Sequence, residues 1–113
     1  MSQVLHRSDV ATVLREWAAG VLSSEQVFKW ANAHFAIEAW DAEDGAVNEV
    51  MAQLDTMDMN LVTSEDAPIL LAALEAKTAE GAAEVIGSHN AVIDWSARKQ
   101  RLSSEPLYSP FCK

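Results

Sequence analysis

The side chains that could support nucleophilic catalysis are few and scattered. Such catalysis needs a serine or cysteine beside a histidine, with an acid that orients the histidine. The one cysteine, Cys112, lies near the end of the chain, and His6, His34 and His89 occur in unrelated sequence contexts. His34 falls on the apolar face of a predicted helix, where a hydrogen-bonded, partly buried histidine is commoner than a general base. The sequence therefore indicates no catalytic site, and we expect no enzymatic activity.

Metal and nucleotide sites are also weakly indicated. His34 and Glu38 have the spacing of two ligands on one helix face, but the chain has no second such pair, as a di-metal centre in a helical bundle requires. Residues 55–60 alternate oxygen-bearing side chains, yet they lack the central glycine and closing glutamate of a calcium loop. The glycines are isolated, so no phosphate-binding loop is present. We expect no cofactor and no metal.

Negative charge is the most distinctive property of the chain. Seventeen acidic residues against eight basic ones give a net charge of −9, and such a surface repels nucleic acid and anionic lipid headgroups. Ten of the acids lie between Trp30 and Ala76, a stretch without lysine or arginine, whereas Arg98, Lys99 and Arg101 cluster late in the chain. A run of like charge is ordinarily a solvated face. Its length here also favours a basic protein as partner.

Helix-start signals divide the first half of the chain. Residues 9–19 carry an apolar stripe at helical spacing, with Ser8 as the predicted N-cap and Gly20 as the stop. Ser23 and Gln26 then have the spacing of a capping box, which begins a second helix that ends between Phe35 and Trp40. Asp41 or Asp44 can cap a third helix. The predicted stripes of these three helices are Val10, Val13, Leu14 and Trp17; Val27, Trp30, Ala31 and His34; and Val47, Val50, Met51 and Leu54.

The second half of the chain is predicted to continue with helices. A turn at 63–66 precedes a helix over 67–76, which is apolar on all sides and so is expected to be the central one. Residues 78–102 form either one kinked helix or two short ones, with Asp94 and Arg98 spaced to pair on the surface of the last. No period-two alternation occurs, which makes a sheet improbable. The prediction is an all-α fold, a single antiparallel bundle of four to six helices.

The predicted domain covers residues 1–102, and residues 103–113 form a C-terminal tail. This tail contains Pro106 and Pro110 together with Leu107, Tyr108 and Phe111, so we expect it to lie extended against the helical domain. No apolar run is long enough to cross about 30 Å of hydrocarbon. The N-terminus has no apolar leader and one cysteine cannot form an internal disulfide, so we expect a cytoplasmic protein without a membrane partner.

Two groups of residues resemble small bacterial immunity proteins, which are acidic helical inhibitors of colicin-like or contact-dependent toxins. They are Leu14, Trp17, Gly20, residues 23–27 and Trp30-Ala31, and then residues 61–68. The resemblance covers about the first two thirds of the chain. It departs from the inhibitors of nuclease colicins, whose paired tyrosines have no equivalent because Tyr108 is the only tyrosine. The resemblance implies an all-α fold and a toxin partner, and no individual contact residue is carried over.

The hypothesis that follows is a rigid acidic face that covers a basic cleft of a partner protein. Complementary charge would speed association, and Trp40 would serve as an apolar anchor at the edge of the acids. One alternative is a helical adaptor or homo-oligomeric structural module, and another is an enzyme that uses paired carboxylates. The predicted partner-binding residues are Trp40, Asp41, Glu43, Asp44, Glu49, Asp55, Asp58, Glu65 and Asp66.

Overall fold

A computed structural model describes residues 3–35 and 40–112, without the side chain of Gln3. These residues are mostly helical, and they contain seven α-helices and two short parallel strands. The helices are α1 (Arg7–Ala18), α2 (Ser24–Phe35), α3 (Gly45–Asp55), α4 (Met57–Asn60), α5 (Ala67–Leu74), α6 (Ala79–Asn90) and α7 (Trp95–Leu102). The strands are β1 (Gln3–Leu5) and β2 (Trp40–Ala42), and short 3₁₀ helices cover Ser64–Asp66 and Ser109–Phe111.

Local capping explains where the early helices begin. The predicted capping box is confirmed, since the Ser23 N–H donates to Gln26 Oε1 at 2.8 Å and the Gln26 N–H donates to Ser23 Oγ at 3.2 Å. Asp44 rather than Asp41 caps α3 through the Val47 N–H. The prediction of Ser8 as a cap is wrong: α1 begins at Arg7, and the preceding residue donates its N–H to the Asp9 carboxylate. Caps within three residues are local interactions, which is why sequence locates them well.

The sheet is a correction to the all-α prediction. β1 and β2 pair in parallel, with Gln3 opposite Trp40 and Leu5 opposite Ala42, and the Glu43 N–H extends the pairing to the Leu5 carbonyl. Three-residue strands are too short to show alternation, and parallel strands must be joined by a long crossover. The pairing places the start of α1 beside the residues that precede α3.

The helix count exceeds the four to six predicted because the residues after α3 form a separate four-residue helix, α4. Leu61 ends α4 with a positive φ of 55°, although it is not a glycine. The break between α5 and α6, where Lys77 has a φ of 64°, falls where the sequence predicted it. The segment 78–102 is two helices, separated by residues 91–94. Asp94 caps α7 through the Ala97 N–H at 3.0 Å, and Arg98 pairs with Asp66 instead of forming the expected surface pair with Asp94.

The predicted stripes form the core. Every stripe residue of α3 is fully buried, and those of α1 are buried except for half-buried Val13. Helix α3 contacts α1, α2, α5 and α6, whereas α5, predicted as the central helix, leaves Pro68 and Ala72 exposed. No helix in the described ranges has the length and apolar character to cross a membrane.

The C-terminal segment is folded rather than extended, which corrects the second part of the fold prediction. Residues 103–108 form turns, and the Ser109 N–H donates to the Glu105 carbonyl at 2.8 Å. Tyr108 is buried and its hydroxyl donates to the Val62 carbonyl at 2.6 Å. A buried phenol is stable only with such a partner, so this bond fixes how the segment packs on the helices.

Candidate binding surface

The parallel strand pair brings an arginine against two of the predicted site residues. Arg7 donates through Nη1 to the Glu43 carboxylate at 2.9 Å, and its Nη2 pairs with Asp44. The pKa of Glu43 is lowered by the hydrogen bond from the Arg7 N–H and then by the hydrogen bond from His6. Glu43 and Asp44 therefore join α1 to α3, and their charge is compensated within the chain.

Asp66 is a buried structural residue rather than part of a surface. It is only 4% exposed and accepts two hydrogen bonds from Arg98, at 2.7 and 3.2 Å, and Arg98 itself is 7% exposed. His89 Nε2 lies 2.7 Å from Oδ1, and the Thr63 N–H donates to Oδ2. Burial alone would raise the pKa of Asp66, but these hydrogen bonds, led by that of Arg98, outweigh burial and lower it. The result is an internal cluster that joins α6 and α7 to the start of α5.

Glu65 is paired as well, with the exposed Arg101. Helix α7 thus directs Arg98 and Arg101 onto the adjacent acids Asp66 and Glu65. Together with the pairs of Arg7, arginines compensate four of the eight predicted carboxylates. The eight carboxylates do not form one unshielded face, because the tertiary fold places arginines that are distant in the sequence in ion pairs with four of them.

Three predicted carboxylates make no ion pair with any described residue: Glu49, Asp55 and Asp58. We call them the α3–α4 acidic group, since they lie on two consecutive helices within ten residues of chain. Asp58 Oδ1 accepts from the Met59 N–H, and Asp55 Oδ1 is buried without a hydrogen-bond partner. The fourth acid, Asp41, is exposed on β2. The three acids of the α3–α4 acidic group therefore have no compensating cation among the described residues.

Trp40 lies in an aromatic cleft that the sequence did not predict as a unit. The His34 ring is 4.8 Å from the rings of both Trp30 and Trp40, and its Nδ1 donates to the Trp30 carbonyl at 2.7 Å. We call this arrangement the aromatic cleft. Its two adjoining hollows have volumes of about 320 and 460 Å³, in the range of ligand pockets. Their lining residues are Leu5, Asp9, Thr12, Trp30, His34, Phe35, Trp40, Asp41, Ala42, Asn48 and Met51.

The sequence did contain a partial signal for the cleft. Trp30 and His34 were assigned to the apolar stripe of α2, but both are only half-buried, unlike the fully buried Val27 and Ala31. The neighbouring helices cover only part of the apolar stripe of α2, so the residues at its margin, Trp30 and His34, remain at the edge of the core. Only the pairing of β2 with β1 brings Trp40 against them.

A second groove, of about 490 Å³, lies near α4, α7 and the C-terminal segment. Met59 and Phe111 line it and are 53% and 40% exposed. The Arg98 guanidinium at this groove lies 5.6 Å from the centre of the Trp95 ring, and Lys99 is also part of the lining. Because Asp66 also lines this groove and pairs with Arg98, the groove combines apolar side chains with a neutralised ion pair and Lys99.

Within residues 3–35 and 40–112, no group of three histidine, cysteine or acidic side chains is placed to hold a metal. Glu38, which was considered with His34 as a pair of metal ligands, lies outside the described residues.

The candidate binding surface therefore consists of the aromatic cleft and the α3–α4 acidic group. Helix α3 connects them, since Asn48 lines the cleft and the half-buried Glu49 is the next residue on the same helix. No family model, no curated protein and no solved structure matches this chain.

Proposed function

We propose that this protein is a non-catalytic binding module for a basic protein, and that it binds through the aromatic cleft and the α3–α4 acidic group. The observation that carries the proposal is the division of charge on the molecule. Glu43, Asp44, Glu65 and Asp66 are paired with arginines, whereas Glu49, Asp55 and Asp58 have no ion pair among the described residues. Acids without an ion pair among the described residues, together with half-buried aromatic rings, are suited to a cationic surface.

The net charge supports the same partner class. A chain of −9 attracts basic proteins over distances of about a Debye length, and such steering raises association rates. The aromatic rings then supply contact area that slows dissociation. The resemblance to immunity proteins makes a bacterial toxin the specific partner we propose, with the acidic surface covering the basic cleft through which that toxin acts.

Neutralising the α3–α4 acidic group tests this proposal. The variant Glu49→Gln/Asp55→Asn/Asp58→Asn is compared with Glu25→Gln/Glu80→Gln/Glu84→Gln, which removes the same charge from exposed positions on α2 and α6. We expect about tenfold slower association of the first variant with a basic protein that co-purifies with this chain at low salt, and the difference should be clearest at low salt. The control variant should associate at close to the wild-type rate.

Surface plasmon resonance over a series of salt concentrations measures these rates, and toxin neutralisation in co-expressing cells measures function. Equal rates for both variants would remove the α3–α4 acidic group from the interface. A partner whose binding strengthens as salt increases would contradict the electrostatic proposal altogether, because screening weakens attraction between opposite charges.

Self-association is a second candidate function, favoured by the second groove. Met59 and Phe111 are exposed on one concave surface, which is the arrangement expected where a second copy covers apolar side chains. Analytical ultracentrifugation of the wild type and of Met59→Ser/Phe111→Ser tests this alternative. A concentration-dependent dimer that the double variant loses would favour a homo-oligomeric module, and a monomer at all concentrations would exclude it.

A further inference from the structure

The aromatic cleft has a composition that specifies one class of side chain. Its lining combines four aromatic rings with two carboxylates: Trp30, His34, Phe35 and Trp40, and Asp9 and Asp41. No lysine or arginine is found among its described lining residues. Aromatic faces attract cations, and carboxylates at the rim add direct charge attraction.

We infer that the aromatic cleft binds an arginine side chain of the partner. This inference rests on the proposed function and names the group that would anchor the basic protein. A guanidinium is planar, so it stacks on indole and imidazole rings, and it donates several hydrogen bonds in its own plane. An ammonium is a compact charge that keeps more of its water. A cleft built from flat rings therefore suits arginine better than lysine.

The hydrogen-bond acceptors of the cleft also favour a guanidinium. Because His34 Nδ1 donates to the Trp30 carbonyl, the neutral ring carries its proton there and Nε2 is an acceptor. No described residue donates to that Nε2. Asp9 accepts the His6 N–H through Oδ2 and has a second carboxylate oxygen. The cleft thus offers acceptors at its rim to a group that has only donors.

The position of the cleft in the fold supports a preformed site. Trp30 and His34 are one turn apart on α2, and β2 holds Trp40 through its pairing with β1. The backbone bond from His34 fixes its ring orientation between the two indoles. Side chains fixed in this way lose little conformational freedom on binding, which favours affinity.

Nuclear magnetic resonance of the four indole N–H groups tests the inference without any protein partner. The isolated chain is titrated with N-acetyl-argininamide, with the neutral isostere N-acetyl-citrullinamide, and with N-acetyl-lysinamide. We expect the arginine compound to shift the signals of Trp30 and Trp40 in a saturable way, and to leave those of Trp17 and Trp95 in place. Citrulline should produce no saturable shift, and lysine a weaker one.

Two variants assign the effect to the cleft. Asp41→Asn should weaken binding of the arginine compound by about two- to fivefold, as should Trp40→Leu measured on the remaining Trp30 signal. Glu84→Gln removes one charge from α6 and should leave the affinity unchanged. Circular dichroism checks that each variant is folded. If Trp40→Leu does not fold, the conservative variant Asp41→Asn still tests the inference.

The outcomes separate this inference from the proposed function. Absence of a saturable arginine shift, or equal shifts from citrulline, would overturn the inference even if a basic protein still binds through the α3–α4 acidic group. Equal affinity for lysine would overturn the assignment to a guanidinium. A selective arginine shift would support the cleft even if no basic protein partner exists.

Discussion

Arg98→Met removes the cation that neutralises a carboxylate buried beneath α7. Asp66 would then keep its hydrogen bonds from the Thr63 N–H and from His89, but it would lose both bonds from the guanidinium. The Leu61 carbonyl would lose a donor as well, since Arg98 Nη1 also lies 3.2 Å from it. Methionine occupies much of the space of the aliphatic part of the arginine side chain, so the substitution removes the charge but little of the volume.

The burial of this pair sets the expected magnitude. Removing one partner of a buried ion pair leaves an uncompensated charge and costs about 3–5 kcal/mol. A domain of this size has a free energy of unfolding of about 5–15 kcal/mol, so Arg98→Met should remove roughly a fifth of it or more. At about 4 °C per kcal/mol, the melting temperature should fall by more than about 10 °C.

Arg101→Met is a matched control on the same helix. Its partner is Glu65, and the two side chains are 52% and 58% exposed. An exposed ion pair contributes about 0–1 kcal/mol, so this variant should be nearly as stable as the wild type. Urea unfolding followed by tryptophan fluorescence and by far-ultraviolet circular dichroism gives both free energies by linear extrapolation.

The result that would refute this reasoning is an equal effect of the two substitutions. A loss below about 1 kcal/mol for Arg98→Met would mean that water or His89 compensates Asp66 without the guanidinium. A loss above about 2 kcal/mol for Arg101→Met would mean that the exposed pair has a structural role that its exposure contradicts.

The pH dependence of stability provides a separate check on the same pair. The pKa of Asp66 is lowered from 3.8 in the folded protein, so its ionised form stabilises the fold above that pH and this contribution is lost as the pH falls through the lowered value. In Arg98→Met the carboxyl is easier to protonate. The stability difference between wild type and variant should therefore narrow below about pH 4, as measured by urea unfolding at each pH.

Three further predictions concern Tyr108 and two glycines. Burial raises the pKa of Tyr108 to about 12, so ultraviolet titration of this one tyrosine should show ionisation well above 10.0 in the folded protein, and stability should decrease as the pH rises above 10.0. Gly45→Ala should destabilise by about 1–3 kcal/mol in urea unfolding, because its Cβ would lie 2.7 Å from the Ala79 nitrogen. Gly87→Ala, in open space within α6, should instead stabilise by about 1 kcal/mol, and the opposite sign for either glycine would contradict the packing described.

The sequence by itself determined the features that depend on neighbours in the chain. The capping box at Ser23 and the apolar stripe of α3 could be read directly, because a cap joins residues three apart and a stripe follows the helical repeat. The acidic composition was also evident. These signals were sufficient for a mostly helical fold and for most of the buried residues.

Only the tertiary structure decided which acids remain available and where the aromatic rings meet. Asp66 pairs with Arg98, which is 32 residues away in the sequence, and Glu43 pairs with Arg7, which is 36 residues away. Strand β2 pairs with β1, and helices α1 and α2 lie between the two strands in the chain. Such contacts follow from how the helices pack, and no local pattern encodes them. A count of charges therefore predicted one acidic face, whereas the fold divides those charges into buried or paired acids and a smaller unpaired group on α3 and α4.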